Sequence, residues 1–496
     1  MVVTGSSGVS LHMLSHGLVT GFSAVLLPQL RMPESMIKVN KTSESWIASV
    51  FGLTFIVGNL FVCVMMDKLG RKKSNLIGIA IVAVGWYMTV WSSSVTWLIV
   101  SRMVQGFSLG ISVHLCPITI GEYTSPRYRG AFLATLNLAI SCGILTTHTL
   151  GSYLQWQTTA LICAIIMTID FLLVCFVPET PVWLMSNGRY EESKTAYRWL
   201  RGLNEEEELT RMIQDSVITQ SKKTKEYESC LRRFMTKLKY LKETVVKEEF
   251  YKPSVIVIHL YVLGQWGGTT IYSQFSPDVF FYVVGDKIDL PTMVVILAVH
   301  RFVSGIYMMF LMDKFKRRTM VISLVGVALI SLLSIAGYAY ARPRNLLPFD
   351  HPAIGIVLIH LHMVSVCSGC VGIGFMIAGE VFPLEYKGLA GGISAMSISV
   401  NVFIMAKTGP YLLGDVGIPV AYCIYAAVVA YCVVLVVIFL PETRGRTLQD
   451  IEDGFRKRRP LEETGTSEPL TTFISHNDVE IKITSQIKDE IDKVKC

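Results

Sequence analysis

The sequence predicts an all-α membrane protein with twelve transmembrane helices arranged as two pseudo-symmetric six-helix bundles. Three observations carry this expectation. Hydrophobic residues make up 51% of the 496 and charged residues 17%, with a mean hydropathy of +0.48. Short polar clusters are therefore separated by apolar runs of about 20 residues, the length that crosses a hydrocarbon core. A charged stretch, Asp67-Lys68-Leu69-Gly70-Arg71-Lys72-Lys73, returns as Asp313-Lys314-Phe315-Lys316-Arg317-Arg318. Two further motifs follow each copy in the same order. The first half has Gly121-Glu122 with Arg129-Gly130 and then Pro178-Glu179-Thr180; the second has Gly379-Glu380 with Lys387-Gly388 and then Pro441-Glu442-Thr443. Recurrence in register over about 250 residues means that one half repeats the other.

In chain order, the apolar runs place helices near residues 9–30, 45–66, 74–92, 96–118, 129–152 and 157–177. The second half places them near 253–284, 290–312, 319–341, 352–378, 388–413 and 418–440. The expected organisation is a first bundle (1–184), a charged central loop (185–252), a second bundle (253–444) and a polar tail (445–496). Helical stretches are expected in the loop at 190–200 and 226–249. Met1 to Ser10 carry no basic residue and no clear cleavage pattern ends the first apolar run, so it reads as a membrane helix and not a removable signal.

Basic residues cluster after the second, fourth, sixth and eighth helices, which assigns those loops and both termini to the cytoplasm. The sequon Asn40-Lys41-Thr42 then falls in the first outer loop, where glycosylation of Asn40 is expected. The net charge of +7 is accounted for by these loops and calls for no nucleic acid. Most of the 11 cysteines lie inside apolar runs, where a thiol acts as a small hydrophobe, so no disulfide framework is expected. Cys367 and Cys370 have the spacing of half a zinc site, but no second pair follows. No metal and no cofactor are expected.

The repeated charged loops admit a plain reading, a positive-inside turn in which Gly70 supplies backbone freedom. Their recurrence beside Glu122, Arg129, Glu380 and Lys387 favours an ionic latch at one membrane face. A cluster that forms in one conformation only can bias a two-state equilibrium by about 1 kcal/mol.

The order of DKLGRKK (67–73), SRMVQGFSLG (101–110), GEYTSPRYRGA (121–131), PETPVWL (178–184) and PETRGRTL (441–448) resembles the sugar-porter family of the major facilitator superfamily. The likeness is greatest to its facilitated trehalose and hexose transporters of the insect type. It implies a facilitative carrier without covalent chemistry, a sugar substrate held between the bundles at mid-membrane, alternating access by rocking, and a monomer in the bilayer. It also implies that Asp67, Arg71, Glu122 and Arg129, with Asp313, Arg317, Glu380 and Lys387, match the family's charge network, closed when the site faces outward.

The resemblance thins at the sugar site. On the seventh helix, GQWGGTT (264–270) keeps only the second of the family's two glutamines, Gln265, with Gly264 and Thr270 at the places of the first glutamine and the asparagine. The paired tyrosines match Gln274 and Phe275, the helix-5 glutamine matches Asn137, and the tenth-helix aromatic matches Phe375. On helix 11 the family's asparagine and tryptophan match Ile398 and Ser399. Gln265, Thr269 and Tyr272 recur at helical spacing, either as a cavity-facing stripe or as interhelical glue.

Arg301 stands twelve residues before Asp313, about 18 Å along a helix and so near mid-membrane. An ionisable group at that depth is a site candidate by default, although backbone carbonyls or snorkelling can also satisfy an arginine. Its planar donors suit a carboxylate, a phosphate or several hydroxyls, which opens a rival reading as an organic-anion carrier. A non-transporting sensor is a further rival, weakened by the short tail. Arg102 matches the family's helix-4 arginine, for which a functional role is expected. Its aspartate partner in proton-coupled relatives is replaced by Val19, which argues for facilitated diffusion. His114, His148 and His300 read as packing residues.

Overall fold

Apolar runs that carry backbone polar groups through lipid must satisfy those groups within one segment, and the chain does so almost entirely with helices. The computed structural model describes residues 2–125, 128–202, 209–210, 212–213, 243–285, 288–349, 351–382, 387–443, 451 and 454–455. The first half contains α1 (Val2–Arg31), α2 (Lys41–Leu69), α3 (Arg71–Val90), α4 (Val95–Tyr123), α5 (Arg129–Tyr153) and α6 (Trp156–Cys175). Two short helices follow, α7 (Pro181–Ser186) and α8 (Tyr190–Arg201), the second where the loop was expected to be helical. The rest of the expected loop helix, 226–242, and the tail beyond 456 lie outside the described residues.

The second half begins with a helix in pieces: α9 (Glu248–Gly264), a π-turn (Gln265–Thr269), α10 (Thr270–Gln274) and α11 (Ser276–Val284). It continues with α12 (Leu290–Lys314), α13 (Arg317–Ala341), α14 (Pro352–Val366), a π-turn (Cys367–Val371), α15 (Gly372–Val381), α16 (Lys387–Tyr411), a π-turn (Leu412–Val416) and α17 (Ile418–Phe439). Among the described residues, eleven helical segments are long and apolar enough to cross a membrane. The twelfth passage is the broken one, α9 to α11. The break has a local cause, because Gly268 takes φ +110°, a conformation that side chains with a Cβ resist.

Within the first bundle α2 packs on α4, α1 on α5, and α3 on α4 and α6. Small residues set these distances. A Cβ at Gly58 would lie 2.2 Å from the Phe107 carbonyl oxygen and one at Gly110 would lie 2.4 Å from that of Phe55, so α2 and α4 touch backbone to backbone. The bundles meet along α2–α16 and α5–α12, with α10 against α1. This places the broken helix beside the seam.

Candidate functional site

The repeated motifs build the same device twice, at the end of the molecule where both charged loops lie. Gly70, at φ +87°, leaves room for the Glu179 carboxylate, and a Cβ there would stand 2.2 Å from its Oε2. Glu179 thereby accepts from the backbone N–H of Arg71 at 2.9 Å and of Lys72 at 3.0 Å, capping the otherwise unpaired start of α3. Glu442 accepts in the same way from Arg317 N–H at 3.0 Å at the start of α13, where Lys316 stands at Gly70's place with φ −67°.

The motif arginines close the device. Arg71 pairs with Glu122 at 2.8 Å and Arg317 with Glu380 at 3.3 Å, and Thr443 donates to Glu380 at 2.5 Å. Both ion pairs join helices of a single bundle, α3–α4 and α13–α15. They join different helices within each half, at the face where the sequence suggests an ionic latch. Among the described residues the Asp67 carboxylate forms no ion pair; its backbone carbonyl accepts from Trp183 Nε1 at 3.2 Å. The side chains of Arg129, Asp313 and Lys387 lie outside the described residues.

Among the described residues, bonds that cross between the bundles run from the middle of the helices to the opposite end. Asn59 Nδ2 donates to Ser399 Oγ at 3.0 Å, Ser45 Oγ to the Lys407 carbonyl at 2.7 Å, and His148 Nε2 lies 3.1 Å from the Ser273 carbonyl. At the end itself Arg31, which holds Glu44 of its own bundle at 2.8 Å, reaches Asp278 at 2.5 Å, and Lys41 pairs with Asp415. At the basic end, by contrast, a Cβ placed on Gly121, Gly130, Gly391 or Gly392 meets no atom within 4 Å.

The broken helix carries the centre of the site. Gln265, half-buried, accepts from Thr270 Oγ1 at 2.5 Å. The π-turn shifts the helical phase of Gln265, Thr269 and Tyr272, read as either a cavity-facing stripe or interhelical glue, and at Tyr272 the bonding is between helices. Thr269 bonds back to the Gly264 carbonyl at 2.7 Å, and Tyr272 turns into the second bundle to meet the Tyr422 hydroxyl at 3.0 Å. Two residues that sequence reasoning passed over hold the break. His362 Nε2 donates to the Gly267 carbonyl at 2.8 Å, and Trp266 Nε1 donates to Asn401 Oδ1 at 2.8 Å. The Gly267-Gly268 pair inside an apolar run was the available signal.

Asn137 is half-buried on α5, and the side chain of Phe375 lies outside the described residues. Arg301 is 6% exposed, with Nη1 donating to Ser273 Oγ at 2.6 Å. Arg102 is fully buried and spends its donors on its own bundle: the Val19 carbonyl at 2.8 Å, Ser23 Oγ at 2.9 Å, Gln105 Oε1 at 3.0 Å and the Ile47 carbonyl at 3.4 Å. Its guanidinium also lies over the Phe51 ring. Position 19 does face Arg102, with a backbone carbonyl where an acid was absent from the sequence. The arginine staples α1, α2 and α4. Asn40 caps α2, its Oδ1 accepting from Ser43 N–H at 2.8 Å while the residue stays exposed.

This architecture has known counterparts. The inward open conformation of the xylose transporter XylE from E. coli superposes with a TM-score of 0.73 at 17% identity, covering 91% of this chain and 99% of that one. The facilitated trehalose transporter Tret1 of Bombyx mori is 26% identical over 90% of this chain and 85% of its own. The solute carrier family 2, facilitated glucose transporter member 6 of Mus musculus is 26% identical over 90% of this chain and 89% of its own. The family model described as "Sugar (and other) transporter" matches residues 8–455, and the chain, an integral membrane protein, belongs to that family.

Proposed function

We propose that the chain is a facilitative carrier of a sugar such as trehalose or a hexose, acting by alternating access as a monomer in the plasma membrane. Its termini and repeated charged motifs face the cytoplasm, and Asn40 is glycosylated outside. One observation carries this reading. The bundles are tied together from mid-membrane to the end bearing Arg31, Asp278, Lys41 and Asp415, while the glycines at the basic end have free space around them. Among the described residues such an arrangement is tied on one side, and rocking about the seam exchanges the sealed side.

Gln265 and Thr270 supply a hydroxyl-matching pair beside the seam, with Asn137 across it on α5, and the resemblance assigns the aromatic role to Phe375. Val19, with no titratable group, supports transport without proton coupling. Uptake of labelled trehalose, glucose and fructose into liposomes holding the purified chain tests the proposal, with and without an imposed proton gradient. Saturable uptake indifferent to the gradient is expected. Uptake that requires the gradient would remove the facilitative mechanism, and no uptake of any sugar would remove the substrate class.

A further inference from the structure

An arginine taken out of water needs either a ring of acceptors or a counter-charge, since a lone buried charge is strongly disfavoured. Arg102 has the ring, four acceptors in its own bundle. Arg301 does not. Its one hydrogen bond among the described residues is Nη1 to Ser273 Oγ, and no described carboxylate pairs with it.

The sequence has also cleared acids from its surroundings. The guanidinium stands where α1, α5, α10, α12 and the π-turn after α14 converge. Its charge acts on His16, His148 and Cys367, and His148 touches the carbonyl of the same Ser273 at 3.1 Å. Helices α1, α5, α10 and α14 contain no Asp or Glu, and α12 has only Asp313, near its far end. The nearest acid along the broken helix, Asp278, is occupied by Arg31. Apart from Asp313, these elements hold no acidic residue, and the bundles meet here along α5 and α12.

Polar capacity accumulates around the same segment. Gln274, next to Ser273 and 1% exposed, has no partner for either amide atom, and His16 Nδ1 is likewise unpartnered. Ser273 fixes the Nη1 corner of the guanidinium, which leaves the Nε–Nη2 edge free. That edge is the parallel pair of donors that a carboxylate accepts in bidentate fashion.

We propose that Arg301 is the carboxylate-binding residue of the central site, and that the carrier takes a polyhydroxylated monocarboxylate, a sugar acid of the uronate or aldonate class. This rests on the carrier reading above and specifies its substrate. The carboxylate supplies the missing counter-charge to Arg301, and the hydroxyls meet the unpartnered amide of Gln274 and the Gln265–Thr270 pair. Because the cargo carries one negative charge and no titratable partner moves with it, its transport is electrogenic.

The test compares labelled D-glucuronate with D-glucose, which differ only in a carboxylate for a hydroxymethyl, in proteoliposomes holding the full chain. Glucuronate uptake at least tenfold above glucose, accelerated by an interior-positive potential, is expected. Arg301→Gln should lower the glucuronate-to-glucose ratio at least tenfold, and Arg301→Lys should restore part of it. Ser273→Ala, which frees the guanidinium to wander, should raise KM for glucuronate more than for glucose. Size-exclusion profiles of each variant verify folding. Glucose uptake without glucuronate uptake, or a ratio indifferent to Arg301→Gln in a folded protein, overturns this proposal and leaves the carrier reading standing. Uptake of neither compound, together with none of trehalose or fructose, overturns both.

Discussion

Removing the Asp278 carboxylate should open the end of the molecule that the structure shows tied. Arg31 holds Glu44 of its own bundle through two bonds, at 3.0 and 2.8 Å, and Asp278 of the other bundle at 2.5 Å. Asp278→Asn therefore cuts the link between bundles and leaves the link within one. Two unit charges 4 Å apart attract by about 4 kcal/mol near a protein surface, and desolvation and side-chain ordering reduce an exposed pair to about 1 kcal/mol or less. Arg31 is already oriented by Glu44, which lowers the ordering cost, whereas the burial of Asp278, only 18% exposed, raises its desolvation cost. A loss of about 1 kcal/mol is expected, which changes a two-state ratio by about 5-fold. The assay is a distance distribution between spin labels at Met36→Cys and Tyr282→Cys, both exposed and on opposite bundles at this end, with the native cysteines replaced. Asp278→Asn should increase the long-distance population, and Asp415→Asn, which removes the partner of Lys41, should add to it. Unchanged distributions in both single variants and in the double variant would refute the idea that these pairs hold the end shut.

Arg102→Met should destabilise the first bundle by about 3 kcal/mol, because the Val19 and Ile47 carbonyls and Ser23 lose a buried donor; thermal denaturation in detergent measures it. Gly58→Val should abolish monodisperse protein on size-exclusion chromatography, whereas Gly121→Val, with open space around it, should be tolerated. Glu179→Gln should weaken the cap on α3 by about 1 kcal/mol and speed amide hydrogen exchange at residues 71–74, and Glu442→Gln should do the same at the start of α13.

The parts of the molecule that were legible from sequence are those in which one residue type implies its partner. Charged loops recurring beside Glu122 and Glu380 implied that loop and carboxylate meet, and Arg71–Glu122 and Arg317–Glu380 do so, whereas the caps supplied by Glu179 and Glu442 were not read from the sequence. Val19 at an expected acid position left Arg102 without an acidic partner, and among the described residues none pairs with it. What stayed hidden depends on backbone groups, which every residue carries and no sequence pattern marks. Arg102 looked functional because its two carbonyl acceptors have no signature. The polar stripe from Gln265 to Tyr272 assumed a constant helical phase, and the π-turn with Gly268 at φ +110° cancels it. That same break frees the Gly267 carbonyl for His362 and turns Ser273 toward Arg301, so the irregular backbone is what builds the site. The family's polar side chains match this helix only in part, and the break gives the remaining ones their direction. A chain of this kind retains the carrier's mechanics, which depend on backbone geometry and the motif pairs. On the proposal above, its cargo is set by the few side chains beside the break together with Arg301 of α12.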